Sequence, residues 1–310
     1  MDESVAPLIE RLDQYVVRQM PSVSRAFASK LIEEGHVTVS GDPQRKSGYK
    51  LRTADVVEIH FDELHTIVIP EVELPIVYED DDCVVIIKPI GMLTHSKGAF
   101  NPEATVATWL RPRLDIDTFE PAKLLPQSDA HETALNPNIY VPSNDRLGIV
   151  HRLDRATSGV MICAKNPVAL SWLQKQFSQR KVKKSYIAVV TGRMQNGEAI
   201  IDMPVERNPK KPQTFRVGSN GKSAVTQYQV LDTSDALSLL ELKPSTGRTH
   251  QLRVHLHEIG HPIVGDTLYN GTKAPRLYLH AKSLELTLPS RKRVTFEAPL
   301  PTAFKELLSK

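Results

Sequence analysis

The second half of this 310-residue chain is crowded with strand patterns, yet they do not recur as β-α-β units. Tyr186-Ile187-Ala188-Val189-Val190 is an apolar run that stops at Thr191-Gly192. Residues 237–242 form a second run, and residues 278–288 alternate apolar with polar. A parallel, doubly wound sheet needs a helical crossover after each strand. Only two helical patterns interrupt the strands. One is opened by Asn166-Pro167 and carries Ala169, Trp172, Leu173 and Phe177. The other has Leu252, Leu256 and Ile259 at helical spacing and stops at Gly260. The region from residue 149 onward therefore folds as a mixed layer richer in strands than in helices.

The first sixty residues form a pattern of their own. Arg11-Leu12-Asp13-Gln14-Tyr15-Val16 has apolar residues at helical spacing. Ser22 and Ser24 offer caps to a second helix, in which Phe27 and Leu31 are four apart, as are Ala28 and Ile32; Gly35 ends it. Strands are expected over residues 36–39 and 56–61, with a Ser-Gly-Asp turn after the first. This gives a small domain over residues 1–62 and a Pro-containing linker over 63–75. A larger domain covers 76–310, opening with strands at 76–80 and 83–87 and a turn at Lys88-Pro89-Ile90-Gly91-Met92. Residues 112–146, with five prolines and no period, read as a long surface excursion.

Composition narrows the class. No apolar run reaches the length of a membrane span, and the N-terminus lacks the character of a signal or transit peptide. The two cysteines, Cys83 and Cys163, sit inside apolar runs and read as buried thiols of a reducing compartment. A soluble cytoplasmic protein is expected. The formal net charge of +3 conceals an asymmetry: residues 1–148 hold 14 Lys/Arg against 24 Asp/Glu, whereas residues 149–310 hold 25 against 12. The basic half contains compact blocks, Arg180-Lys181-Val182-Lys183-Lys184, Arg207-Asn208-Pro209-Lys210-Lys211 and Arg291-Lys292-Arg293. Such blocks neutralise several phosphates at once, so a nucleic-acid partner is expected.

One segment stands out as chemistry. His151-Arg152-Leu153-Asp154-Arg155-Ala156-Thr157-Ser158-Gly159 places a carboxylate between two guanidinium groups, just ahead of an apolar run. Flanking cations favour the ionised form, and an ionised carboxylate at a loop edge can serve as nucleophile or electrostatic stabiliser. On its own, Asp154 would better suit a salt-bridged surface turn.

Four further segments weigh against that plain reading. They are Lys88-Pro89-Ile90-Gly91-Met92-Leu93-Thr94-His95, Lys184-Ser185-Tyr186-Ile187-Ala188-Val189-Val190, the run from Pro244 through Ser245-Thr246-Gly247-Arg248-Thr249-His250-Gln251-Leu252-Arg253-Val254-His255, and Gly260-His261-Pro262-Ile263-Val264-Gly265-Asp266-Thr267-Leu268-Tyr269. With the Asp154 segment, and in this order, they resemble the RluA-type pseudouridine synthases, which isomerise uridine in structured RNA to its C-glycoside. The first sixty residues resemble the S4-type RNA-binding domain. That likeness rests on Arg11-Leu12-Asp13, Ser24-Arg25, Leu31-Ile32-Glu33-Glu34-Gly35-His36-Val37-Thr38-Val39 and Val56-Val57-Glu58-Ile59, with Ser40-Gly41 and Ala54-Asp55 as mild departures.

The resemblance implies an α+β protein: an S4-type module followed by a catalytic domain on a mixed, mainly antiparallel sheet. It implies Asp154 as the catalytic carboxylate, Arg248 as its ion-pair partner, Tyr186 packing on the target uracil, and Arg152 helping to displace the base. His151, Thr157, Lys183, Lys184, His250 and Arg253 are further candidates for RNA contact, with Arg25, Lys30, Arg45 and Lys46 on the S4-type module. No cofactor is implied, because the isomerisation needs neither redox change nor hydrolysis. Whether the carboxylate attacks C1′ or assists an elimination stays open. The expected partner is RNA, ribosomal or transfer, and the expected state a monomer. Three rivals are weaker. A zinc site at His250, His255, His257 and His261 lacks convergent donors. A glycosidase needs a second carboxylate, which the motifs do not supply. A non-catalytic RNA binder would not need Asp154. RNA affinity should fall linearly in log–log form as salt rises; a titration without salt dependence would refute the basic blocks as phosphate contacts.

Overall fold

A computed structural model describes residues 10–20, 23, 25–60, 69–95, 103–114, 119 and 147–308. They separate into two compact units. The first is built mainly on residues 10–60 and takes in 103–112; the second is built on 73–94 and 148–308. Most of the 112–146 excursion and residues 63–68 of the linker lie outside the described residues, as do the capping candidates Ser22 and Ser24. Residues 69–75 have no regular secondary structure.

In the first unit, α1 (Leu12–Gln19) and α2 (Arg25–Glu34) bury the residues that helical spacing selects: Leu12, Tyr15 and Val16 on one, Ala28, Leu31 and Ile32 on the other. Gly35 ends α2 with φ +88°, and the amides of Gly35 and His36 donate to the carbonyls of Ile32 and Leu31. The chain then enters β1 (Val37–Val39), which pairs antiparallel with β2 (Asp42–Pro43) and β3 (Val57–Ile59). Ser40 and Gly41 both have positive φ, as a two-residue hairpin turn of this hand requires. Asp13 is buried between Arg11 and Arg25, chiefly held below the usual carboxylate range by its Arg11 hydrogen bond. The short helix α3 (Val106–Leu110), capped by Thr105, also belongs to this unit.

The second unit is a large twisted sheet with helices. Its elements are β4 (Ile76–Glu79), β5 (Cys83–Lys88), β6 (Ser158–Ala164), α4 (Pro167–Ser178), β7 (Lys183–Thr191), β8 (Glu198–Asp202), β9 (Val205–Arg207), β10 (Phe215–Val217), β11 (Val225–Thr233), β12 (Leu237–Pro244), α5 (Gln251–Glu258), β13 (Leu279–Thr287), β14 (Arg293–Glu297) and α6 (Thr302–Leu308). Among the described residues nine strands join in the order β4-β5-β6-β13-β7-β12-β11-β8, with β14 also on β13, while β9 and β10 form a separate ribbon. The β6–β13 pair is parallel and every other pairing in the sheet is antiparallel. This is the strand-rich mixed layer that the absence of β-α-β alternation requires. Strand β6 is buried at every position and β5 at all but one, including Cys83 and Cys163, so their continuous apolar runs mark strands covered on both faces. Leu252 and Leu256 of α5 and Phe304 of α6 close one core with Ala188, Val190, Leu240 and Leu242 of the sheet. No described helix is long and apolar enough to cross a membrane.

The parallel pair depends on one glycine. Gly159 lies opposite Ala281, and a Cβ built on it would collide with the Ala281 backbone; its φ of +125° also excludes most side chains. Beside it, the Ser158 hydroxyl meets His280 Nδ1 at 2.9 Å and accepts from Arg276 at 2.7 Å, stitching the same crossing. Replacing Gly159 by Ala should cost about 3 kcal/mol or more through forced strand separation. That corresponds to a Tm lower by roughly 6–12 °C; a melting curve within 2 °C of wild type, on the order of 1 kcal/mol or less, would contradict the close contact.

Candidate active site

The turn that carries Asp154 is fixed from both sides. Its carbonyl accepts the Thr157 amide at 2.9 Å, closing a four-residue turn directly before β6. On the preceding side, the Thr94 hydroxyl donates to the Leu153 carbonyl at 2.9 Å and takes the Leu153 amide at 3.3 Å. On the following side, the Arg155 carbonyl receives the Gly91 amide at 2.8 Å. The Lys88 ammonium, wholly buried, donates to the carbonyls of Pro89, Met92 and, at 3.5 Å, Arg155. Burial pulls Lys88 down to about 8, and Asp154 partly offsets this. The Lys-Pro-Ile-Gly-Met-Leu-Thr segment is thus the mould of the Asp154 turn. Sequence reasoning treated it as a motif without a role; its signal was a lysine at the end of an apolar strand, where a buried cation must find carbonyls.

Asp154 looks into a pocket of about 120 Å³, lined also by Arg152, Thr157, Lys184, Tyr186, Thr246, Arg248, His250 and Arg253. Five elements or their ends converge here: the start of β6, the first half of β7, the end of β12, the start of α5 and the start of β13. Tyr186 on β7 lies opposite Leu242 of β12 and Ala281 of β13, which places it mid-sheet beside the pocket. Burial, with a smaller contribution from Asp154, raises its phenol above the ordinary value, so it keeps its proton at neutral pH. Lys184, two residues earlier and on the same face, donates to the Thr246 carbonyl at 3.1 Å and is lowered by burial to about 8.

The ion-pair partner of Asp154 differs from expectation. Arg253, not Arg248, approaches it, with Nη1 at 3.6 Å from Asp154 Oδ2. Arg248 turns aside: its amide donates to Gln251 Oε1 and its Nε to the Ser223 carbonyl, both at 3.0 Å. Gln251 causes the difference. Its side chain also receives the Thr246 hydroxyl at 2.7 Å, so the Thr-Gly-Arg-Thr loop folds over it. The helix α5 then begins at Gln251, and its first turn aims Arg253 inward. Sequence spacing alone could not choose between the two arginines without the position of that helix start.

The remaining candidates divide. Arg253 is 5% exposed, lines the pocket, and has its guanidinium engaged by Asp266 and Asp154. His151 faces inward too, stacked on Phe177 at 4.6 Å and accepting the Ile162 amide. Thr157 is buried and Arg152 is exposed, both lining the pocket. His250 adopts φ +57° at the start of α5, with Nε2 3.7 Å from Asp154 and Nδ1 2.8 Å from the Tyr269 hydroxyl. Lys183 is outside the pocket lining and pairs with Glu285 at 3.3 Å. In the first unit Arg25 binds Asp13, Lys30 faces Glu34, Arg45 donates to the Glu33 carbonyl, and Lys46 is exposed. Both ring nitrogens of His255 are engaged, with Thr226 and the Met203 carbonyl.

Comparison with known proteins places the fold in one class. The model of the RNA pseudouridylate synthase family matches residues 82–258, and that of the S4 domain matches residues 10–57. An uncharacterized RNA pseudouridine synthase of Aquifex aeolicus is 36% identical over 264 residues, covering 84% of this chain and 77% of that protein. A protein of Xanthomonas campestris named ribosomal large subunit pseudouridine synthase D is 34% identical and covers 96% of this chain and 88% of its own. The structure of human RNA pseudouridylate synthase domain containing 4 superimposes with a TM-score of 0.56 at 26% identity, over 76% of this chain and 92% of that one. The chain belongs to the RNA pseudouridylate synthase family. It is an isomerase with an S4 domain at its N-terminal end.

Four imidazoles of the second unit are held toward the neutral form, burial being the largest cause in each: His151 to about 3, His280 to about 4, and His250 and His255 by direction. Unfolded histidine takes its proton near 6.5, so between pH 6.5 and about 4 the unfolded chain binds more protons than the folded one. Stability therefore falls as pH falls through that window. The urea midpoint should drop steadily from pH 6.5 to 4, and His151→Gln, which keeps an acceptor for Ile162 but does not titrate, should make the drop shallower. A flat wild-type midpoint across the window would refute the buried neutral histidines.

Proposed function

We propose that the protein converts uridine to pseudouridine in large-subunit ribosomal RNA, with Asp154 as the carboxylate that acts at ribose C1′. The reaction breaks the bond from uracil N1 to C1′, turns the base, and joins C5 to C1′; the C5 proton is lost and N1 gains one. Atoms and oxidation state are conserved, so the chain's own side chains suffice. Asp154 is the carboxylate of the pocket, and its distance of 3.6 Å from the Arg253 guanidinium is the observation that carries the reading. That cation orients the carboxylate, whether it attacks C1′ or assists elimination. Tyr186, a neutral phenol, offers its face to the uracil and its hydroxyl to a base edge.

The target base has to leave its stack to enter so small a pocket, at a cost of a few kcal/mol. Arg152, exposed at the pocket, fills the vacated space. Residues 1–62 serve as the RNA-binding module, 63–75 as the link and 76–310 as the catalytic domain. The ribosomal target rests on the named Xanthomonas relative, which aligns over 96% of this chain; transfer RNA is the alternative. Cytoplasm is where such a substrate is met.

Mapping pseudouridines in RNA from cells with and without the protein tests the target: a site lost from large-subunit ribosomal RNA supports it, and a loss confined to transfer RNA overturns it. Purified Asp154→Asn should make no pseudouridine while binding RNA within about twofold of wild type, a difference below roughly 0.5 kcal/mol. Near-normal turnover would remove Asp154 from the mechanism. Tyr186→Phe should retain more binding than Tyr186→Ala, and the reverse order would argue against stacking.

A further inference from the structure

The segment from Gly260 to Tyr269 supplies no residue to the reaction as described, yet two of its side chains stand directly behind the groups that face Asp154. We infer that Asp266 and Tyr269 are positioning residues: Asp266 sets the fork of Arg253, Tyr269 sets the ring of His250, and together they fix where the Asp154 carboxylate sits. The inference rests on the proposed role of Asp154.

Asp266 is 1% exposed and takes two hydrogen bonds from Arg253, Nε to Oδ2 at 2.7 Å and Nη2 to Oδ1 at 2.8 Å. A guanidinium is planar and its donors are fixed relative to one another. Gripping one edge therefore decides where the remaining nitrogen points, and that nitrogen, Nη1, is the one 3.6 Å from Asp154. Tyr269 is also buried. Its hydroxyl accepts the Phe215 amide at 2.8 Å and meets His250 Nδ1 at 2.8 Å, leaving Nε2 toward Asp154. Its ring lies 5.0 Å below the Arg253 guanidinium, so it bears on both partners of Asp154.

A positioning role needs a rigid base, and the segment has one. Gly265 has φ +82°, and a Cβ there would strike the Arg276 carbonyl; a Cβ on Gly271 would strike that of Ile263. The Gly271 amide closes back on the Asp266 carbonyl at 2.8 Å. The Val264 amide donates to the Val189 carbonyl at 2.9 Å, and Ile263 bridges to Val190. The loop is thus tied to β7, the strand that carries Tyr186, and one backbone framework sets Asp154's partners and the stacking tyrosine together.

The test is a single-turnover assay at saturating uridine-containing RNA, which separates rate from active fraction. Asp266→Asn keeps the shape of the residue but loses charge and one acceptor; Tyr269→Phe loses only the hydroxyl. Each should slow the single-turnover rate, Asp266→Asn by up to about 100-fold, the cost of a misplacement of about 1 Å at the reacting groups. Amplitude should stay full, and RNA affinity and KM should stay within about twofold, under roughly 0.5 kcal/mol. Unchanged rates, or a reduced amplitude at wild-type rate, would overturn the inference, the latter by exposing a purely structural role. Wild-type protein that forms no pseudouridine would instead remove the underlying reading.

Discussion

A single buried guanidinium holds two carboxylates in register. Arg253 binds Asp266 through one edge and leaves a nitrogen for Asp154, so one cation is shared by two acids while one of them keeps an open side. Such a group is costly to bury and costlier still to leave half-paired. The helix start at Gln251, the inward first turn of α5 and the tightly closed loop around Gly265 all serve that one arrangement. Neutral replacements of similar volume could pack there equally well. An ion pair in this place fits an electrostatic task better than a stabilising one.

The second anchor is Lys88. It comes from β5, more than sixty residues before Asp154, and reaches the Arg155 carbonyl inside the Asp154 turn. With the Thr94 clamp and the Gly91 amide, it sets the backbone on both sides of the carboxylate. The turn is therefore not free to follow its own side chains. The approach angle of the Asp154 carboxylate is already determined by the sheet.

Much of this was visible in the residues, and the limits were physical. Helical spacing located α1, α2 and α5, and uninterrupted apolar runs located β5 and β7, because burial selects those patterns directly. Asp154, Tyr186, Lys184 and His250 could be named in advance and lie together around one pocket. The pairing of charges was not legible in the same way. Arg248 and Arg253 are five residues apart in one motif, and only the bend over Gln251 decides which turns inward. His151 and Arg253, both candidates for RNA contact, are directed inward by Phe177 and Asp266. Side-chain direction at an irregular loop depends on distant partners, and periodicity says nothing of those.

The pocket's modest size has its own consequence. About 120 Å³ of space lies among the described residues that line it. A space on the scale of a single heterocycle can tell one base from another but holds no neighbours to read. With Asp154 as the proposed catalytic carboxylate, choice among the many uridines of a long RNA falls to how the strand is presented outside the pocket. Chemistry and address are separate problems for this molecule, and its buried half is concerned with the first.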